Sequence, residues 1–198
     1  SSGTVVFKIK EGAPVRISDI RFVGPAHLPA PRLRKEMETK KWWMFSWLLG
    51  TGRLKDDEFE DDLDKLRDYY REQGYLDIEI APEKIIFDYP KPNRLVITIA
   101  VQEGRRYKIG DITFSGNKLH PTSILRRVIR ERSGAVFTPS KLDKDVERLE
   151  DFYGHDGYLD TRVRLTRKPN VATGNIDIVY DIEESEKFHV ESLVIERS

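Results

Sequence analysis

Two stretches of this chain decide its fold. Arg16-Ile17-Ser18-Asp19-Ile20-Arg21-Phe22-Val23-Gly24 returns as Lys108-Ile109-Gly110-Asp111-Ile112-Thr113-Phe114-Ser115-Gly116. Each has alternating apolar residues closed by glycine, which reads as a strand ending in a turn. Ser18-Asp19 interrupts the alternation, so an irregularity is expected there. Working outward, Asp62 to Gly74-Tyr75-Leu76-Asp77 returns as Asp145 to Gly157-Tyr158-Leu159-Asp160. A third copy opens at Phe188-His189-Val190-Glu191-Ser192-Leu193-Val194-Ile195. A period of roughly 80 to 90 residues is domain-sized rather than solenoid-sized.

Between these landmarks both copies read alike. A short helix is expected around 31–39, and again over 121–132. A second helix carries Phe59, Leu63, Leu66 and Tyr70 at helical spacing, and Leu142, Val146, Leu149 and Phe152 or Tyr153 repeat that stripe. Asp56 and Thr138 are placed as N-caps. Gly74 and Gly157 are placed to stop the helices in a left-handed conformation. Two strands follow in each copy, expected over 75–88 and 94–102, then over 158–166 and 175–183.

The order is therefore β-α-α-β-β, twice: an α+β fold with a three-stranded sheet covered by two helices. The last strand of each copy ends in an acidic residue, as in Val101-Gln102-Glu103-Gly104. Thr4-Val5-Val6-Phe7-Lys8-Ile9-Lys10-Glu11-Gly12 has the same ending. The expected organisation is thus the last strand of a preceding module over 1–12, full modules over 13–104 and 105–185, and the first strand of a following module over 186–198. The modules join at Glu103, Gly104, Arg105, Arg106 and Tyr107, and an elongated array is expected.

Composition narrows the functional classes. Lysine plus arginine number 34, and aspartate plus glutamate number 34. With no net charge there is no general electrostatic case for nucleic acid or an anionic membrane. There are no cysteines, which removes disulfides and thiolate metal sites. His27, His120, His155 and His189 are scattered without ligand spacing. No nucleophile–base arrangement or phosphate-cradling glycine loop is present. No catalytic, metal or cofactor residues are assigned, and no enzyme activity or small-molecule substrate is expected.

Tandem modules whose second helix ends in Tyr-x-x-x-Gly-Tyr, and whose last strand ends in Glu-Gly, resemble POTRA domains. The residues carrying the resemblance are Asp62 to Tyr75, Val101 to Gly104 and Lys108 to Asn117. Trp42-Trp43 and Tyr107-Lys108-Ile109 resemble the second and third domains of a POTRA arm. The resemblance implies a non-catalytic arm in the periplasm of a Gram-negative-type bacterium, beneath the protein's own C-terminal membrane β-barrel. Its partners would be unfolded outer-membrane proteins and accessory lipoproteins. Related arms serve two-partner secretion and organelle import pores, which is the nearest alternative. A nucleic-acid-binding α+β repeat is a more distant one.

Two features are candidates for binding. A three-stranded sheet leaves open edges, where an extended client can add a strand through main-chain hydrogen bonds. The candidate client edges are the strands after the second helices: Tyr75, Leu76, Asp77, Ile78, Glu79 and Ile80, and Tyr158, Leu159, Asp160, Thr161, Arg162, Val163, Arg164 and Leu165. The other candidate is the aromatic run Trp42, Trp43, Phe45, Trp47 and Leu48. It holds all three tryptophans of the chain and has no counterpart in the second copy, so it is expected to dock a partner.

Overall fold

The computed structural model describes residues 16–24, 27–37, 57–92 and 94–188. The expected strand over 4–10, the expected final strand beyond Phe188, the Asp56 cap and the tryptophan-rich run lie outside the described residues. Two compact units emerge. One reaches to Tyr70 and includes Asp77–Gly104; the other holds Arg71–Leu76 and continues from Arg105.

The first unit contains β1 (Arg16–Val23), α1 (Ala30–Glu36), α2 (Asp57–Glu72), β2 (Ile86–Lys91) and β3 (Arg94–Ala100), with α2 running on into residues of the second unit. The second unit repeats the order with β4 (Ile109–Ser115), α3 (Thr122–Val128), α4 (Pro139–His155), β5 (Arg162–Asn170) and β6 (Asn175–Glu183). The sheet orders are β1-β3-β2 and β4-β6-β5. The last strand is central in each. It pairs parallel to the first strand and antiparallel to the hairpin strand before it. The irregularity expected at Ser18-Asp19 is a register shift between Ile17 and Asp19, and an equivalent shift separates Ile109 from Ile112.

The apolar stripes form the cores. Phe59, Leu63, Leu66 and Tyr70 of α2 are all buried, as are Leu95, Ile97 and Ile99 of β3. Full burial of one such side chain stabilises by about 1.5–3 kcal/mol. In α4 the buried positions are Leu142, Asp145, Leu149 and Tyr153. An aspartate therefore takes the place expected for Val146, which is only partly buried.

Asp145 also corrects the length of α3, expected to reach Arg132. Its carboxylate accepts the backbone N–H groups of Arg130 and Glu131, both at 2.8 Å. These donors are drawn out of the helix, and α3 ends at Val128 with Ile129 extended. Thr138 precedes α4 without a side-chain cap; its hydroxyl bonds to the Val136 carbonyl instead. Gly157 stops α4 at φ 95°, with the Tyr158 N–H on the Tyr153 carbonyl at 3.0 Å.

Strand limits are corrected as well. In the first unit, Pro82–Lys84 form a short 3-10 turn, so the strand expected from Tyr75 begins only at Ile86. In the second, Tyr158 to Thr161 is a turn, with the Thr161 N–H on the Tyr158 carbonyl at 3.2 Å. β5 starts at Arg162 and runs to Asn170.

Candidate functional site

Each sheet has two edges, and they are not equally open. In the second unit the free side of β4 is covered by the segment before α4. The Ile109 N–H bonds the Ala135 carbonyl at 2.8 Å, and the Gly134 N–H bonds the Ile109 carbonyl at 2.8 Å. The Phe137 N–H bonds the Tyr107 carbonyl at 3.1 Å. Further along, the Arg126 guanidinium donates to the Ile112 carbonyl at 2.6 Å. The first unit repeats the last device: Arg34 Nε donates to the Ile20 carbonyl of β1 at 2.8 Å. Arginine is suited to this, since its rigid fork of donors can satisfy an edge carbonyl from a neighbouring helix.

β5 is the more open edge. Its Val163 N–H turns away from β6 and bonds Glu150 Oε1 at 2.9 Å. Antiparallel pairs alternate, so Leu165 and Arg167 also turn their N–H groups outward. Pro169 shares this phase but carries no N–H. The outward donors of β5 are therefore Leu165 and Arg167, with one end of the strand occupied by Glu150 and the other closed by proline.

In the first unit β2 is the corresponding edge, and all its side chains are exposed except Phe87, which is half-buried. Phe87 packs edge-on to Phe59 with ring centroids 6.3 Å apart. Ile86 and Tyr89 are 60% and 43% exposed, unusual for large apolar residues on a strand.

The expected edge strand Tyr75–Ile80 is not a strand. Tyr75, Ile78 and Ile80 are buried. Glu79 is already paired to Gln102 by two main-chain bonds of 2.8 and 3.0 Å. The Ile80 carbonyl accepts from Arg67 at 2.7 Å. Leu76 is half-buried and Asp77 exposed. The second expected edge is partly displaced. Tyr158, Leu159, Asp160 and Thr161 precede β5, while Arg162, Val163, Arg164 and Leu165 are its first half.

The junction residues take internal roles. Glu103 is 1% exposed and its carboxylate holds His27, at 2.7 Å to the backbone N–H and 2.5 Å to ring Nδ1. In the second unit Glu184 bonds the backbone N–H of Leu119 at 2.9 Å and the Tyr153 hydroxyl at 2.9 Å. The acidic residue closing each last strand thus clamps the turn after the first strand, a role not visible in the strand-ending pattern. Arg105 stacks over the Tyr107 ring, 4.8 Å from its centroid, and donates to the Gly174 carbonyl. Arg106 Nε donates to the Gln73 carbonyl at 2.8 Å. The expected docking residues Trp42, Trp43, Phe45, Trp47 and Leu48 lie outside the described residues.

Asp62 of α2 is buried and lies 3.6 Å from Lys65. Burial raises the hydroxyls of Tyr153 and Tyr180 well above the ordinary tyrosine range, assisted by Glu184 and Asp145 respectively. Among the described residues no three His, Cys, Asp or Glu side chains converge as a metal site. No described helix is long and apolar enough to cross a membrane. What the arrangement offers chemically is main-chain hydrogen bonding along two strand edges.

Comparison with known proteins bears on that offer. The POTRA family model, described as surface antigen variable number repeat, matches residues 15–104 and again 107–185. The chain is 26% identical, over 99% of its length, to outer membrane protein assembly factor BamA of Nitratidesulfovibrio vulgaris. It is 27% identical, over 98% of its length, to a putative outer membrane protein assembly factor of Treponema pallidum. It spans 25% and 23% of those two proteins, about a quarter of their length.

Among solved structures, it resembles Haemophilus influenzae BamA POTRA3-5 with a TM-score of 0.59 at 20% identity, covering 96% of this chain and 77% of that one. It resembles Haemophilus ducreyi BamA lacking POTRA domains 1-3 with a TM-score of 0.56 at 22% identity, covering 85% of this chain and 29% of that one. Likeness at this identity establishes the fold, not the place of the modules within an arm. With both repeats matched by the family model and both built as β-α-α-β-β units, the chain belongs to the POTRA family.

Proposed function

We propose that this chain is part of the periplasmic arm of an outer-membrane β-barrel assembly factor. It is non-catalytic: its modules receive unfolded outer-membrane polypeptides by strand addition and dock accessory lipoproteins, next to a membrane barrel carried by the same protein. The family membership and the names of the relatives support this reading. The observation that carries the binding mode is the inequality of the edges. β4 is covered by Gly134–Phe137 and Arg126, whereas β5 keeps outward main-chain donors at Leu165 and Arg167. The binding edges are β5 and β2, later in the chain than the Tyr158 and Tyr75 starts read from sequence.

The test is an NMR titration with an unfolded outer-membrane strand peptide, comparing the parent chain with Leu165→Pro. Proline removes an outward donor and leaves the ladder to β6 intact. Amide shifts at Leu165 and Arg167 of the parent, with the Arg167 shift weakened in the variant, support strand addition. Shifts that avoid β5 and β2, or persist unchanged with proline, exclude it.

A further inference from the structure

We infer that β5 is a charge-selective edge, taking extended segments that carry acidic residues at alternate positions on the open face of the sheet. This rests on β5 being a polypeptide-binding edge and names the class of segment it prefers.

Val163 turns into the core, so Arg162, Arg164, Thr166 and Lys168 share the face away from the helices. Across the ladder on β6 these meet Glu183, Asp181, Val179 and Asp177 in turn. Every basic residue of the row therefore faces an acid. Arg164 pairs with Glu183, and the Thr166 hydroxyl bonds Asp181 Oδ2 at 2.8 Å. Hydrogen bonds from Ser115 and Thr166 hold the Asp181 carboxyl below its ordinary range.

β5 is thus already complementary to an acidic row on one side. Strand side chains stand roughly perpendicular to the sheet, so the same basic row is presented to a strand on the other side. Arg164 is 71% exposed, and its five N–H donors are not exhausted by one carboxylate. On the helix side the edge meets acids instead: Glu150 at the Val163 N–H and Asp143 at 3.7 Å from Arg167. An incoming strand is therefore favoured when its acids lie on the open face alone, and alternate spacing achieves that.

The first unit supplies an internal control. Thr98 faces Arg21 of β1 as Val179 faces Thr113 of β4, which aligns the two ladders. Ile86 and Asp88 of β2 then stand where Thr166 and Lys168 stand on β5. β2 thus carries an apolar and an acidic residue where β5 carries threonine and lysine, so the lysine of the β5 row is not a requirement of the sheet.

Two strand peptides test this with the whole chain: one alternating glutamate and threonine, the other with glutamine for each glutamate. At low salt the acidic peptide should bind β5 about tenfold more tightly, from opposite-charge cross-strand pairs. The advantage should vanish in high salt and in Arg164→Gln with Lys168→Gln, whose amide spectrum checks that the fold is kept. Arg164→Glu with Lys168→Glu should reverse the preference towards a lysine–threonine peptide. Equal binding of the first two peptides, with shifts at Leu165 and Arg167, overturns the selectivity and leaves strand addition standing. An equal acidic advantage at β2 reduces it to general attraction and overturns it. No shift at Leu165 or Arg167 with either peptide removes the edge reading itself.

Discussion

The Glu103 carboxylate, almost wholly buried, takes both the backbone N–H of His27 at 2.7 Å and ring Nδ1 at 2.5 Å. Glu184 repeats the backbone contact to Leu119, three residues past the glycine that ends β4, as His27 is three past Gly24. The turn after each first strand is therefore tied to the end of each last strand. Removing the carboxylate leaves the turn N–H without its acceptor, and in the second unit the hydroxyl of the buried Tyr153 as well. Glu103→Ala should destabilise the first unit by about 1–3 kcal/mol, and Glu184→Ala the second by a similar amount. Urea unfolding followed by amide peaks assigned to each unit measures both. Unchanged midpoints would show the clamp to be dispensable.

Asp145 holds the exit of α3 with two backbone donors and an ion pair to Arg148 at 2.5 Å. Asp145→Ala should cost the second unit about 3 kcal/mol or more, since charged hydrogen bonds are lost inside a core. Asp145→Asn should cost less, because one amide oxygen still accepts. Chemical denaturation of both variants checks the order; an asparagine variant as weak as alanine would mean that charge, not acceptance, does the holding.

Gly74 and Gly157 sit at φ 92° and 95°, where β-branched residues are strained. Gly157→Val should cost about 1–3 kcal/mol from backbone strain alone, as the nearest atoms to a new Cβ are on the flexible Lys187 side chain. Gly74→Val should cost more. There a Cβ would lie 2.8 Å from Val136 Cγ1 and 3.0 Å from the Tyr107 carbonyl oxygen. Melting curves of the two variants should separate in that order.

Tyr153 and Tyr180 are fully buried, and burial raises both hydroxyls above the ordinary value of 10.0. In the folded state they stay protonated where the unfolded chain has begun to ionise. Their contribution is complete below about pH 10 and is lost as the pH climbs above it, by up to about 1.4 kcal/mol per pH unit for each tyrosine. The second unit should therefore lose stability steeply in alkali, and Tyr180→Phe should flatten that loss. Unfolding midpoints between neutral and strongly alkaline pH provide the measurement; identical slopes for parent and variant would refute it.

Local order was readable in the chain before any coordinates. The repeat showed in Ile17 to Gly24 against Ile109 to Gly116, the helix stripes in Phe59 to Tyr70 and Leu142 to Tyr153, and the helix stops in Gly74 and Gly157. These signals are legible because helix and strand side chains alternate between core and water with fixed periods, and because few residues but glycine enter a left-handed turn. What only the tertiary structure decided is non-local. β3 and β6 occupy the centres of their sheets because of parallel pairing with strands far earlier in the chain. Asp145 and Glu103 are buried because their partners are backbone N–H groups that folding brings to them. The edges were decided there too: a strand pattern records which face is apolar, but not which side is paired. β4 is closed by Gly134–Phe137, and Tyr75–Ile80 is consumed by the core, by Gln102 and by Arg67, while among the described residues β5 and β2 each stand as the outer hairpin strand of their sheet.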